Sequence, residues 1–145
     1  MALADVIPAA TSTILSSSRR VAAQTARSIA AGRSGEVAVL LDDGLVEVGR
    51  PDDVSSTDPV LVRRYLSGEE LDGWEPHEAA IARFRGAVQL AMRADIRARA
   101  IVSHGLIMAL WMAPRLGTTP LTVWEGLGHP DVWRYDAATG RIRRS

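Results

Sequence analysis

The chain contains no cysteine and no lysine. The first absence excludes disulfides, thiolate metal sites and a cysteine nucleophile, and makes a cytoplasmic location the default expectation. The second leaves arginine to carry all 17 basic charges, a composition expected of a GC-rich genome. Arginine also forks onto phosphate oxygens wherever it faces a pocket. No apolar run approaches the roughly 18 residues of a membrane span, so no membrane partner is expected. Seventeen acidic residues balance the arginines and leave no long-range field to draw in nucleic acid. Residues 1–10 lack a basic start and include Asp5 and Pro8, so they read as a short helix and not as a signal peptide. No cluster of metal-ligating residues stands out, and no cofactor or metal is expected.

What is there fits one domain over residues 1–145. Thr13 to Ser16 is a β-branched, apolar run that gives way to helical composition from Arg19 to Ala30, with serines suited to capping at the join. Gly32-Arg33-Ser34-Gly35 breaks that helix, and Glu36 to Leu41 predicts a buried strand. Asp42 to Ser56, rich in Asp, Gly, Pro and Ser, predicts a long functional loop. Asp58 to Leu66 predicts a short helix. Pro76 to Arg97 predicts a long one, with Ile81, Phe84, Val88 and Met92 on one apolar face. Ala98 to Ser103 predicts another buried strand, followed at once by a helix over 106–116. Asp131 to Tyr135 and Arg141 to Arg143, about a turn at Ala138-Thr139-Gly140, predict a closing hairpin. Strands alternating with helices predict a three-layer α/β/α sandwich with a mostly parallel sheet.

Three segments can carry chemistry. In Ile101-Val102-Ser103-His104-Gly105-Leu106 a strand ends in Ser-His-Gly and a helix begins, so an imidazole shares a place with helix N-terminal amides that attract anions. In the second segment, Ser16 is followed four residues later by Arg20, and Gln24-Thr25-Ala26 lies on the first long helix. The third is Leu45-Val46-Glu47-Val48-Gly49, in the loop after the second strand.

Together, and in this order, the three segments resemble the histidine phosphatase superfamily, the phosphoglycerate-mutase-like proteins. The resemblance covers nearly all of the chain. It implies a phosphoglycerate-mutase-like fold and phosphoryl transfer or phosphomonoester hydrolysis on a small phosphorylated metabolite. His104 and Glu47 take catalytic roles by this likeness, Glu47 as the acid that protonates a leaving alkoxide. Arg20, Ser16, Gly105 and His129 take substrate-binding ones. His129 stands near the pocket mouth, where relatives tend to place an asparagine. The arginine position has two alignments: spacing from Ser16 selects Arg20, whereas gap-free spacing back from Thr25 puts Val21 there. His77, ahead of the long helix, reads as a surface or capping residue that could line the substrate side.

One family element has no counterpart. The resemblance implies a first strand ending in Arg-His-Gly, whose histidine attacks phosphorus; the sequence contains no such tripeptide. Only about ten residues precede the Thr13 strand, too few for a strand, loop and helix, so residues 1–10 are expected to match the last turns of the family's first helix. The expectation is an N-terminally truncated domain, impaired by the missing nucleophile. The alternatives are a pseudoenzyme that binds a phosphorylated ligand or protein partner, and a site reused for non-covalent acid–base chemistry by His104 and Glu47. Loss of a strand beside Arg99 to Ser103 would leave an open sheet edge, for which a homodimer is the expected remedy.

Overall fold

The structure is a computed structural model describing residues 2–53 and 58–145, and its contacts fall into two compact units, Met1–Val46 with Arg83–His104, and Glu47–Ala82 with Gly105–Ser145. The last stretch of the expected functional loop, residues 54–56, lies outside the described residues.

The first unit holds helix α1 (Leu3–Val6), strand β1 (Thr13–Ser17), helix α2 (Arg20–Ala31), strand β2 (Ala38–Asp42) and a 3-10 turn (Asp43–Leu45). It also holds the C-terminal part of helix α4 (His77–Met92) and strand β3 (Ala100–Val102). The strands form a parallel sheet in the order β2-β1-β3, with Leu15 between Leu40 and Ile101. Alternation along the strands sends Ile14, Val39, Ala100 and Val102 to one face, where they pack on Ala26 and Ile29 of α2 together with Leu3 and Ile7. Small alanines at 22, 23 and 26 let α2 lie close against that sheet. The N-terminal segment is pinned by one side chain: Arg33 donates from Nη1 to the Ala4 and Ile7 carbonyls and from Nη2 to those of Pro8 and Ala9.

The second unit holds α3 (Pro59–Leu66), the start of α4, α5 (Gly105–Leu116), α6 (Pro120–Glu125) and an antiparallel hairpin of β4 (Trp133–Asp136) with β5 (Arg141–Arg144). Asp58 caps α3 by accepting from Val60 N and Leu61 N, with Pro59 in the first turn where its missing N–H costs nothing. Thr119 and Pro120 start α6 in the same way. The apolar residues Leu106, Ile107, Leu110 and Met112 of α5 are buried, as are Val62, Tyr65 and Leu66 of α3.

The α/β class, the parallel sheet, most of the helices and the closing hairpin stand where the sequence predicts them. Three expectations are corrected. The strands β2 and β3 are not buried: they flank β1 as the two edges of the described sheet, and Leu40, Leu41 and Ile101 are 38%, 48% and 37% exposed. Helix α4 ends at Met92 and not at Arg97, because the chain turns back through Arg97 at φ 48° before β3 begins. Its buried stripe is Ala80, Phe84, Ala87, Val88 and Ala91, and Met92 faces water; small alanines carry the face where larger side chains were expected. Helix α6 goes unanticipated by the sequence reading, although its Thr-Pro start is a recognisable signal.

Candidate functional site

At the end of β3 the chain leaves the sheet through Ser103 and His104. Ser103 Oγ donates to the Leu45 carbonyl at 2.7 Å, fixing the strand end against the 3-10 turn. His104, half-buried, bonds through Nε2 to Ser17 Oγ at 2.8 Å. Ser17 closes β1 and is fully buried, and its hydroxyl oxygen also accepts the Arg19 amide at 3.2 Å. The sheet makes this meeting possible, since parallel pairing aligns Ser16 with Val102 and carries both strands forward to the same end. Parallel sheets present such ends as ligand sites.

Beside it, Asp42 accepts from Gly44 N at 2.6 Å, and Ser18 bonds Asp43. Arg83 reaches from α4 to clasp the carbonyls of Gly44 and Val46 at 2.9 and 2.7 Å. A Cβ on Gly44 would stand 2.8 Å from the Arg83 carbonyl oxygen and 3.0 Å from Ala87 Cβ, so only glycine lets this turn approach α4.

In the second unit, Glu47 is held by backbone amides. Oε2 accepts from Leu106 N at 3.0 Å, and Oε1 accepts from Ile107 N at 2.9 Å and Val48 N at 3.0 Å. Its carboxylate thus occupies the first turn of α5, where free amides favour an anion. Those two amides, expected to serve phosphate, are given to Glu47. Gly105 opens the same helix and lines a cleft of about 450 Å³ with Arg63, Trp124, Glu125, Leu127 and His129.

The other sequence-derived residues fall as follows. Ser16 is fully buried and its hydroxyl donates to the Ser17 carbonyl at 3.0 Å, so it is turned away from His104. The serine that meets the histidine is Ser17, one residue on, and four residues further stands Val21, 74% exposed. Arg20 is exposed at the first position of α2 and has no partner among the described residues. His129 is exposed and precedes a cis proline, Pro130. His77 bonds the Tyr65 carbonyl through Nε2 at 2.7 Å, with its ring edge-on to Tyr65, which is a packing role. Sequence reasoning missed Ser17 and Arg83. Gap-free spacing back from Gln24-Thr25-Ala26 selects Ser17, whereas no local signal marks Arg83.

A family model described as the histidine phosphatase superfamily (branch 1) matches residues 2–133. Among solved structures, Bacillus stearothermophilus YhfR superposes with a TM-score of 0.66 at 19% identity, over 94% of this chain and 73% of that one. A mycobacterial glucosyl-3-phosphoglycerate phosphatase, in complex with VO3, gives a TM-score of 0.61 at 24% identity, over 94% and 76%. A protein described as mycobacterial hydrolase 1 gives 0.57 at 22%, over 94% and 75%. At these identities the likenesses speak for the fold. No curated protein matches the chain by sequence.

Proposed function

The chain belongs to the histidine phosphatase superfamily, and from that premise we propose that it binds the phosphate group of a small phosphorylated metabolite, with His104 as the residue that meets the phosphoryl group. The observation that carries this reading is the bond between His104 Nε2 and the buried Ser17 hydroxyl. A ring nitrogen tied to a fixed hydroxyl has a set orientation, which a phosphate-binding or proton-transferring imidazole needs. In this proposal Ser17 takes the place expected of Ser16. Arg20 supplies a guanidinium from the start of α2, and Gly105 and His129, which line the cleft of the second unit, keep substrate-binding roles by family likeness. Glu47 keeps its place as the acid–base partner by family likeness, and its grip on α5 holds the chain after His104 in position.

The 145 residues contain no Arg-His-Gly, so we propose that they turn over phosphate esters slowly if at all. In calorimetry, wild type should bind inorganic phosphate or vanadate, and His104→Ala should bind either at least about tenfold more weakly, a loss near 1.4 kcal/mol. Equal binding by both would remove His104 from the role. Turnover of an aryl phosphate at ordinary enzyme rates, above about 1 per second, would overturn the slow-turnover reading.

A binding-only role, in which the phosphorylated ligand is held and not cleaved, is favoured by the register of β1 and α2. With Ser17 bonded to His104, the position four residues later is Val21 and carries no charge. Val21→Arg should therefore tighten phosphate binding, and an unchanged affinity would return the role to Arg20. We propose in addition a homodimer joined along β3, which pairs on one side only among the described residues. Light scattering at micromolar concentration should give twice the chain mass, and a stable monomer would refute the dimer.

A further inference from the structure

The hairpin of β4 and β5 has two unlike faces. Alternation sends Trp133, Tyr135, Ile142 and Arg144 to one side, where the Tyr135 ring meets Trp111 edge-on and Arg144 lies over Trp133. The other side carries Arg134, Asp136, Arg141 and Arg143, all exposed. In the register Asp136 stands directly opposite Arg141, and Arg134 directly opposite Arg143. The first of these pairs is neutral. The second sets two like charges across a ladder of two strands, which weakens the pairing.

Nothing among the described residues offsets that pair. Arg134 donates from Nε to Ser145 Oγ at 3.2 Å, a neutral partner that leaves its terminal nitrogens free to fork. The Arg143 guanidinium makes no hydrogen bond or ion pair among the described residues. Asp136 is turned into the bend after β4, where Oδ1 accepts from Ala138 N at 2.9 Å and Thr139 N at 3.3 Å. Asp131 is held by Arg144 at 2.8 Å. The same face borders a cleft of about 680 Å³, lined in part by Arg134, Asp136, Arg141 and Arg143, within the size range of small-molecule sites.

The ligand for this face carries two negative charges and is compact. A long polyanion laid along the ladder would meet the Asp136 carboxylate at the next pair on the same face. Residues directly opposite have Cβ atoms about 4.5–5.5 Å apart, so the two guanidiniums present side-by-side forks, each suited to one planar carboxylate. Two carboxylates joined by a short carbon chain give each fork its own partner, whereas a single tetrahedral centre would draw the two cations together.

We propose that this face of the hairpin binds a short dicarboxylate, one carboxylate on Arg134 and the other on Arg143. The site stands apart from the phosphate-binding function proposed above.

The probe is succinate, followed by nuclear magnetic resonance through the Nε–H signals of Arg134 and Arg143, each identified by its loss in Arg134→Gln or Arg143→Gln. Succinate should shift both signals in wild type, and either substitution should weaken its binding about tenfold, as should replacing succinate by acetate. In anion-free buffer Arg143→Gln removes the repulsion and should slow exchange of the hairpin amides about two- to fivefold. Succinate should slow them likewise in wild type and add nothing in the variant. Both arginines are exposed, so the variants keep the fold readable. Succinate binding that survives both substitutions, or that acetate matches, overturns the site. Sulfate binding more tightly than succinate overturns the dicarboxylate and makes the ligand a tetrahedral anion. Faster amide exchange in both glutamine variants overturns the like-charge pair from which the site is argued.

Discussion

The two units share a use of arginine, as a donor to backbone carbonyls, and the second adds to it a seat over aromatic rings. All four tryptophans and both tyrosines lie in the second unit, and the sole phenylalanine, Phe84, lies in the first. Where aromatics are scarce, arginine turns to the backbone: Arg33 clasps the carbonyls of 4, 7, 8 and 9, and Arg83 those of 44 and 46. Where aromatics abound, arginine lies over rings. Arg115 stands 4.0 Å from the Trp111 ring centre, Arg144 4.8 Å from that of Trp133, and Arg50 5.8 Å from that of Trp74. The contrast teaches that a guanidinium in this chain acts as a local staple whose partner is set by the neighbourhood. In the first unit the stapled objects are the N-terminal segment and the turn beside the site; in the second, Arg115 and Arg144 lie over rings and also donate to the carbonyls of Trp111 and Gly126.

The largest expected effect is at Arg83. Arg83→Ala leaves two carbonyls of a tight turn without their charged donor and should cost about 3 kcal/mol in denaturant unfolding. Lysine should restore less than half, because the planar guanidinium fixes the directions in which Nη1 donates to both carbonyls, whereas an ammonium on a flexible stem has no such fixed orientation. Full rescue by lysine would break the contrast. Ser17→Ala comes next, at about 1–2 kcal/mol, since it strips a buried hydroxyl from both His104 and the Arg19 amide. The same variant should weaken phosphate binding while Ser16→Ala does not, which titration of the two proteins can read.

Smaller still is Arg115→Ala in the second unit, expected at about 0.5–1 kcal/mol by thermal unfolding, as for a partly exposed guanidinium over a ring. A loss as large as that of Arg83 would erase the distinction between the two uses.

The smallest effect is common to both units. Hydrogen bonding to Arg64 holds the Glu69 carboxyl below its ordinary value, and hydrogen bonding to Arg93 does the same for Asp95. A carboxyl lowered on folding stabilises the protein above its unfolded value and loses that contribution as the pH falls through the folded one. These pairs lie on the open surface, where solvent screens them. Glu69→Gln and Asp95→Asn should therefore each lower stability slightly at neutral pH and leave it unchanged at the acid end, where the carboxyls are protonated, so that the acid limb of the stability curve flattens.

The sequence reveals those parts of the fold and site that are local in the chain. Periodicity and breakers mark β1, α2, α3 and α5, and the turn at Gly140 marks the hairpin, because each is decided within a few residues. His104 and Glu47 are found through short motifs. What is not legible depends on partners far away in the chain. The exposure of β2 and β3 follows from their place at the sheet edges, which no strand pattern announces. The choice of Ser17 over Ser16 follows from a bond spanning 87 residues. Arg83 reads as one more charge off the apolar face of a helix until the turn at Gly44 is brought beneath it. Glu47, expected to be a proton donor, has both oxygens occupied by amides some 60 residues on.

That last contact has a consequence in time. During synthesis Glu47 is made 59 residues ahead of Leu106, and at roughly 5–20 residues per second its carboxylate waits about 3–12 seconds for the helix it will hold. Until then α5 does not exist and the turn before Glu47 has nothing to grip on that side. Nor can the clasp on that turn form before Arg83 has been made, so the segment around the site settles late. Its order of assembly runs opposite to its order in the chain: the residues made early are fixed by those made after them. A ribosome stalled before residue 106 would carry a nascent chain whose first parallel strand pair can already form, but whose Glu47 still faces water.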